Sequence, residues 1–462
     1  MLRFRHARAR RRLARRVGPV APGVIAIAVV AALIAAPSAL AAPAGINVIN
    51  TGTQLPAPLP TTTCQADFGI SCYTPLQYHT AYDLNPLYSS GITGAGRTIV
   101  IVDSYGSPTI ASDLHTFDTE FGLPDPTLQI DQFGTIPPFD PTNSTMVGWA
   151  IETSLDVEYA HAIAPGAKIV LAETPVAETE GVTGFPQMMQ AETSLINQGV
   201  GDVISQSFGA TENTFPGFSQ GNYSSLLSLR YAYTDAALHG VTVLAASGDE
   251  GATNDELDGQ TLYPYRVDSW PSSDPLVTSV GGSQLYLNDA GNRLQPDSVW
   301  NDGFGAGGGG VSAVFPRPIF QIGVSDVVGS QRGTPDISMS AAVNGGAWVY
   351  WSFGGAPDDA GWNIVGGTSE ATPIFSGIVA LADQVAGHRL GDINPALYAL
   401  GAQSEFTPLP TFAHFPTGIV DITTGNNTFG GVTGYNATPG YDLASGWGTI
   451  DANVFVHALA RF

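Results

Sequence analysis

Short, nearly continuous apolar runs alternate along the chain with longer stretches of helical periodicity. Helical patterns are found at 185–199 and 224–240, for example. The apolar runs are rich in β-branched residues and bounded by Gly, Ser or Asp, as expected of strands buried on both faces; they cover residues 98–105, 168–174, 202–208, 241–247 and 276–282. This order predicts an α/β fold with a mostly parallel central sheet and helices on both faces. In such sheets, functional groups gather beyond the carboxyl ends of the strands.

The chain divides into three parts. Residues 1–42 are predicted to be a signal peptide, because a basic stretch precedes the apolar run 23–36 and Ala39-Leu40-Ala41 fits the small-residue rule for cleavage. An uncleaved membrane anchor is the alternative, since this run is near the lower length limit for a span. Residues 43–72 are predicted to be an N-terminal linker, and 73–462 one large domain. We therefore expect a secreted, extracellular protein that meets a membrane only if the signal segment stays attached.

The sequence contains two cysteines, Cys64 and Cys72, which lie eight residues apart. In an exported protein such an isolated pair is most simply a disulfide, which closes a short loop and stabilises the fold by about 2–3 kcal/mol. A metal or redox site is not indicated, because neither a His neighbour nor a C-x-x-C spacing accompanies the pair.

The chain is strongly acidic, and its charged residues are unevenly distributed. The formal net charge is −23, but eight of the 17 Lys and Arg residues fall in the first 16 positions, so the rest of the chain has nine basic residues against 40 acidic ones. Such a surface repels phosphate backbones, which argues against nucleic acid as a partner. It also suits an acidic medium, where protonation of some carboxylates relieves the repulsion.

The segment 366–377, GGTSEATPIFSG, presents Ser369 in a Gly-rich turn directly before a helical pattern. Hydrolases present a nucleophile in this way, and a nucleophilic Ser needs a base, normally His. No histidine stands in an H-G-T-H-like context, where a subtilisin-type base would lie. Asp103, at the end of the first apolar run, resembles the strand-end Asp of such a triad, but without the His it is only a capping carboxylate.

A pair of carboxylates offers a different base. Glu152 and Asp156 are four residues apart in the helical pattern 149–169, so their side chains share one face. A solvated acidic face is the ordinary explanation, but the apolar residues of the same segment predict a largely buried helix. Adjacent buried carboxyls share a proton and at least one pKa rises. A Glu with a raised pKa can accept the proton of a Ser, with its neighbour positioning it.

These motifs resemble those of the sedolisins, the serine-carboxyl peptidases. The pattern G-T-S-x-x-x-P stands at 367–373, and E-x-x-x-D precedes A-x-A-P-G-A at 162–167. From about residue 73 to the C-terminus the similarity includes, in the family's order, residues 247–252, 270–282, 299–303, 308–312 and 333–338. The resemblance implies a subtilisin-like fold and an acid-active endopeptidase that cleaves proteins or peptides through an acyl-enzyme; tripeptidyl cleavage stays open. We expect a monomer.

The resemblance also implies site roles. Ser369 matches the nucleophile, Glu152 the general base and Asp156 its partner. The family's oxyanion-hole Asp follows an S-x-S-W/Y-G strand end, where this chain reads SQSFGATENTF over 205–215. That position falls on Asn213, with Glu212 beside it. An Asn amide donates at any pH, whereas a carboxyl must be protonated to donate, and both residues remain candidates.

A calcium ion near the C-terminus is a further implication of the resemblance. The matching segments are 421–422 and 437–442. Carboxylates and main-chain carbonyls would form an oxygen shell suited to a hard cation, from Asp421, Ile422, Thr438, Gly440 and Asp442. Two Asp residues in Gly-rich loops are otherwise explained as turn caps.

Two other functions compete with this interpretation. A subtilisin-like Ser-His-Asp protease requires a His within hydrogen-bond reach of Ser369. A non-catalytic secreted homologue would bind peptides or a surface partner. Sedolisins are made with a long folded propeptide, whereas only the leader and about 30 residues precede the matching region here. That departure and the altered oxyanion segment are the reasons to consider the binder, but the intact Ser and carboxylates favour an active peptidase.

Overall fold

A computed structural model describes residues 47–49, 55–354, 360–405 and 416–462. The described strands, β1 to β18 in chain order, are Asn47–Ile49, Cys72–Tyr73, Thr98–Ser104, Leu128–Gln132, Lys168–Thr174, Val203–Gln206, Ala210–Thr211, Thr242–Ala246, Ser269–Trp270, Thr278–Gln284, Ser298–Val299, Gly310–Pro316, Gln331–Thr334, Ile337–Ser340, Gly346–Trp351, Gly361–Gly366, Ile419–Val420 and Thr449–Ile450. The described helices, α1 to α12, are Thr61–Asp67, Pro75–Ala81, Asn85–Ser89, Ile110–Phe121, Ser144–Ile163, Phe185–Asn197, Ser224–Leu227, Tyr231–His239, Ser325–Val328, Thr368–Ala386, Asn394–Glu405 and Ala452–Leu459.

The central sheet has eight strands, in the order β11-β10-β8-β6-β3-β5-β4, with β14 also paired to β10. All of its pairs are parallel except that of β10 with β11. The five apolar runs of the sequence become β3, β5, β6, β8 and β10. The predicted α/β fold with a mostly parallel sheet is therefore confirmed.

Each face of the sheet supports its own core. In β3 the side chains of Ile99 and Ile101 join one apolar cluster, which includes residues of α5 and α10. Val100 and Val102 point to the other face and join a second cluster with residues of α6 and α8. This two-residue alternation is the geometry of a strand buried on both sides, and it places helices on both faces of the sheet.

Part of the predicted N-terminal linker is built into the fold. Residues Asn47–Ile49 pair antiparallel with β16, in a second sheet ordered β1-β16-β15-β2. Cys64 of α1 and Cys72 of β2 form the predicted disulfide. The predicted signal peptide lies outside the described residues. Within the described ranges, no helix combines the length and hydropathy needed to cross a membrane.

Candidate active site

Ser369 lies in the first turn of α10, directly after the end of β16. The connection passes through Gly367, whose φ of 140° favours glycine, and the Gly367 amide donates to Ala341 O at 2.7 Å. Thr368 is held by Asp249, because its backbone N and its Oγ1 both donate to Asp249 Oδ1, at 2.7 and 2.8 Å. The Ser369 side chain is 1% exposed. The nucleophile candidate is thus fixed on a rigid turn at a helix N-terminus.

Glu152 and Asp156 lie on α5, as the sequence predicted. This helix is capped by Asn143, whose side chain accepts from the amides of Thr145 and Met146. Both carboxyl side chains are fully buried, because α5 packs against α10 and against strands β3, β5 and β15. The hydrophobic surroundings expected from the sequence are therefore present, and the two acids share one face of a buried helix.

The structure brings Glu152 close to Ser369. Hydrogen bonding by Ser369 is one of the influences that lower the pKa of Glu152 against the larger effect of burial. Neither oxygen of Glu152 has a partner at full hydrogen-bond geometry among the described residues. The contact is therefore looser than a formed hydrogen bond. Asp156 Oδ1 accepts from Ser207 Oγ at 2.7 Å, and Ser207 Oγ lies 3.4 Å from Ser369 O.

The carboxyls of this site raise one another's pKa. Burial raises the pKa of Glu152 well above its ordinary value, and the charges of Asp103 and Asp249 raise it further. Burial, followed by the charges of Glu152 and Asp103, has the same effect on the pKa of Asp156. In a buried group, like charges cannot all ionise, so the cluster holds its protons more strongly than separate, solvated carboxyls would.

Asp103 belongs to this cluster, which the sequence did not predict. It lies in β3, is fully buried, and its pKa is raised mainly by burial, with Thr153 acting in the opposite direction by hydrogen bonding. The sequence had suggested a capping carboxylate at this position. In the structure, Asp103 is instead the third member of the acidic cluster that Glu152 and Asp156 form.

Asp249 is the site residue that the sequence analysis missed. Its Oδ1 accepts both bonds from Thr368, while its Oδ2 is buried and has no partner among the described residues. Burial raises its pKa well above the ordinary value. A protonated Oδ2 beside the nucleophile is a hydrogen-bond donor of the kind an oxyanion needs. Its sequence signal was the motif SGDEGA at 247–252, which was noted only as part of the resemblance.

The two predicted oxyanion residues lie elsewhere. Glu212 accepts from Ser273 Oγ, Ser312 Oγ and the Ala313 amide, at 2.7, 2.5 and 2.7 Å, so both of its oxygens are already bonded. Asn213 Nδ2 lies 3.5 Å from the hydroxyl of Tyr265. None of these partners belongs to the Ser369 site. The prediction of Asn213 or Glu212 as oxyanion donor is therefore wrong, because β7 carries both away towards β9 and β12.

None of the histidines in the described ranges lies against Ser369. Two are buried and engaged: His79 Nε2 lies 2.8 Å from Ala162 O, and His161 Nε2 lies 3.2 Å from Asp118 Oδ1. His115 pairs with Asp125 at the surface. The others bond backbone carbonyls on exposed segments: His239, His388 and His457. His6 and His414 lie outside the described residues.

The predicted calcium ligands converge on one C-terminal loop. Asp421 Oδ2 accepts from the Gly440 amide at 2.9 Å, and Asp442 Oδ2 accepts from the Thr438 amide at 2.7 Å. Ile422 follows Asp421 directly and is buried. In the described ranges, no group of three or more His, Cys, Asp or Glu side chains is arranged so that it could hold a metal ion. Two carboxylates with neighbouring main-chain carbonyls are an all-oxygen donor set that fits Ca²⁺.

Known proteins share this architecture and these motifs. Residues 143–395 match the profile of the Subtilase family. Kumamolisin from Bacillus sp. (strain MN-32) is 32% identical over 393 residues, covering 82% of this chain and 62% of the relative. Sedolisin from Pseudomonas sp. (strain 101) is 30% identical over 391 residues, covering 82% and 60%. The chain thus spans about 60% of the length of these curated relatives.

A solved structure gives the same likeness. Pseudomonas sedolisin, a serine-carboxyl proteinase complexed with two molecules of pseudo-iodotyrostatin, superposes with a TM-score of 0.66 at 28% identity. The superposition covers 85% of this chain and 99% of that structure. It confirms the subtilisin-like fold that the motifs predicted.

Proposed function

Because the chain belongs to the subtilase family and, within it, resembles the sedolisins, we propose that it is a serine-type endopeptidase. It hydrolyses peptide bonds of proteins or peptides through an acyl-enzyme on Ser369 and is most active at acidic pH. One observation carries the proposal. The nucleophile candidate is buried against Glu152, with Asp156, Asp103 and Asp249 around it.

In the acylation step, Ser369 Oγ forms a bond to the substrate carbonyl carbon while its proton passes to Glu152. Asp156, positioned by Ser207, stabilises the protonation state of Glu152. The carbonyl oxygen becomes an oxyanion and accepts a hydrogen bond from protonated Asp249 Oδ2. Glu152 then gives its proton to the leaving amine as the C–N bond breaks. Water repeats the sequence on the acyl-enzyme, returning Ser369 to its starting state.

The acidic optimum follows from two opposite requirements. Glu152 must be ionised to accept a proton, so activity falls as pH drops below its pKa in the cluster. Asp249 must be protonated to donate, so activity falls as pH rises through its pKa. Burial raises both pKa values, and Asp249 has Thr368 as its principal lowering influence. For both requirements to be met, Asp249 must keep its proton to a higher pH than Glu152, which gives a bell-shaped profile whose alkaline limb reports Asp249.

The C-terminal loop is proposed to hold one structural Ca²⁺. Asp421 and Asp442 supply carboxylates, and the carbonyls of Ile422, Thr438 and Gly440 complete the oxygen shell. The ion's role would be to neutralise the two carboxylates and fix loop 438–442. Chelation should then lower the Tm of the wild-type protein but leave that of an Asp421→Asn variant unchanged; an equal Tm with and without chelator would contradict the site.

Export of the protein is also proposed. It is supported by the predicted signal segment of residues 1–42 and by the Cys64–Cys72 disulfide, since such bonds persist in oxidising compartments. N-terminal sequencing of protein recovered from the medium would test it, with a start near Ala41 or Ala42 as the expected result.

A quenched fluorogenic peptide assayed across pH 3–8 tests the peptidase proposal, with wild type and Glu152→Ala compared side by side. Turnover by wild type at acidic pH that is lost in Glu152→Ala supports it. Turnover that survives in the variant would support an imidazole base, and no turnover by wild type at any pH would support a peptide-binding homologue.

A further inference from the structure

A pocket of about 350 Å³ opens at the carboxyl ends of β3, β4 and β5. Residues 105–108, which follow β3, form one side of it. Glu173, also in its lining, is paired in register with Asp103 across β3 and β5. The charge of Glu173 contributes to the raised pKa of Asp103. The pocket therefore adjoins the carboxylate cluster of the active site.

The apolar part of the pocket wall comes from loop 133–143 and its flanking elements, and is formed by Ile130, Ile136, Pro137, Pro138, Phe139 and Met146. The side chains of Tyr105, Ser107, Gln132 and Glu173 add polar groups to the rest of the lining. A volume of about 350 Å³ is at the lower end of the range for ligand sites, roughly 300–1,000 Å³. It suits a side chain of a bound peptide better than a separate cofactor.

Glu173 is the acidic group among the residues that line this pocket. Its side chain is almost fully buried, and its Oε2 accepts from Gln132 Nε2 at 2.9 Å. The other oxygen, Oε1, lies against Gly106, where an added Cβ would approach it to 2.0 Å. Any other residue at 106 would displace the carboxylate. The absence of a side chain at Gly106 thus allows Glu173 to occupy this position.

The turn that supports Glu173 is strained. Tyr105 has a φ of 64° and Gly106 one of 72°, so two successive residues adopt the left-handed region. That conformation is unfavourable for Tyr and persists only where surrounding contacts impose it, which is common at ligand sites. Here the Tyr105 amide donates to Thr174 O at 2.8 Å, and the Tyr105 hydroxyl accepts from the Ala177 amide at 3.1 Å.

We propose that this pocket binds a lysine or arginine side chain of the substrate, an inference that rests on the proposed peptidase function. The aliphatic stem packs on the apolar wall and the cationic head pairs with Glu173. The chain's large acidic surplus favours basic substrates at longer range. Burial raises the pKa of Glu173, and a bound cation opposes that shift, so the ionised carboxylate is stabilised when a basic side chain is seated.

Digestion of a peptide library, read by mass spectrometry, tests this pocket. Wild type should show enrichment of Lys and Arg at one fixed position relative to the cleaved bond. Two matched peptides, with lysine or norleucine at that position, then give kcat/KM values. Glu173→Gln should lower kcat/KM for the lysine peptide about tenfold while changing the norleucine value less than twofold. Glu120→Gln, at an exposed site on α4, is the matched control and should change neither.

A second variant keeps the test valid if Glu173→Gln folds poorly. Ile136→Arg places a cation in the pocket from a half-buried loop position, and should reverse the preference in favour of norleucine. No positional preference for basic residues in wild type, or the same preference in wild type and both variants, would overturn the inference. Cleavage of the norleucine peptide by wild type supports the peptidase proposal independently, so the two ideas fail separately.

Discussion

Glu152 and Glu212 are equally buried, yet their carboxylates differ in the hydrogen bonds that they accept from the surrounding protein. Glu212 receives hydrogen bonds on both oxygens, from two serine hydroxyls and one backbone amide. Glu152 has no partner at full hydrogen-bond geometry on either oxygen among the described residues. Burial raises the pKa of both.

Under the proposed function, this difference distinguishes a structural acid, Glu212, from a reactive one, Glu152. A buried carboxyl whose lone pairs are occupied stabilises the elements that contact it, here β12 and the loop before β10. A buried carboxyl with free lone pairs costs stability, and such groups persist where the chemistry needs them. Asp249 combines both situations, because Thr368 occupies its Oδ1 while its Oδ2 has no hydrogen-bond partner in the described part of the chain.

The largest expected effect comes from removing the serine hydroxyl that lies beside each of these two glutamates. Ser369→Ala should reduce kcat by about 10⁶-fold, as loss of a nucleophile does, with an unchanged Tm. Ser312→Ala, equally buried beside Glu212, should retain kcat/KM and lower the Tm instead. Peptide turnover and thermal melts of both variants check this. Measurable turnover by Ser369→Ala would contradict the assignment of Ser369 as the nucleophile, on which the comparison with Ser312 depends.

Asp249 should show the next largest effect. Asp249→Ala removes the donor proposed for the oxyanion and should lower kcat by about 10²–10³-fold. Asp249→Asn keeps an amide donor that does not titrate, so it should retain more activity and lose the alkaline limb of the profile. Asn213→Ala is the control and should match wild type. A greater loss in Asn213→Ala than in Asp249→Ala would contradict the assignment.

Replacing each glutamate by the isosteric glutamine should change the free energy of unfolding differently at the two positions. Glu212→Gln places an amide among donors that require an acceptor and should lower the free energy of unfolding by about 1–3 kcal/mol. Glu152→Gln removes a carboxyl with free oxygens and like-charged neighbours, so it should leave stability unchanged or raise it, as at other active sites. Urea unfolding at pH 5 measures both. A destabilised Glu152→Gln would show that Glu152 is structural.

The buried acids should also make stability fall gradually with rising pH. Burial raises the pKa of Glu192, Glu370 and Asp383 to about 8, whereas unfolded carboxyls titrate near about 4. The folded state therefore holds extra protons between these values. The contribution of these three groups to stability is fully present below about pH 4 and is lost as the pH rises towards about 8.

Melts from pH 4 to pH 8 check this dependence, and a Tm that decreases by several degrees is expected. Glu192→Gln removes one titrating group and should flatten the curve. A Tm that rises over this interval would contradict the buried-acid account.

The sequence was sufficient for the elements whose burial shows in a local pattern. The five β-branched runs became strands because residues buried on both faces leave a continuous apolar signal. Glu152 and Asp156 were found because four-residue spacing on an apolar helix is visible without tertiary contacts. Strands β1 and β2 of the second sheet were missed, since they have three and two residues, too few for any periodicity.

Asp249, the residue proposed as oxyanion donor, could not be found in the same way. Asp249 reaches the site because the loop after β8 meets the turn before α10, 119 residues further along the chain. No local pattern encodes that contact. Glu212 and Asn213 were chosen from an aligned position, but β7 pairs with β9 and directs them to other partners. Local periodicity predicts which face a residue occupies, whereas its neighbours depend on how loops approach in the fold.

The rate of acylation tests the central claim most directly, that Ser369 gives its proton to Glu152. An activated ester mixed rapidly with enzyme at acidic pH should give a burst, with the acyl group located on Ser369 by mass spectrometry. In Glu152→Gln, the acylation rate should fall by about 10²–10⁴-fold, the usual contribution of a general base. An unchanged acylation rate in that variant, or an acyl group on another residue, would contradict the account.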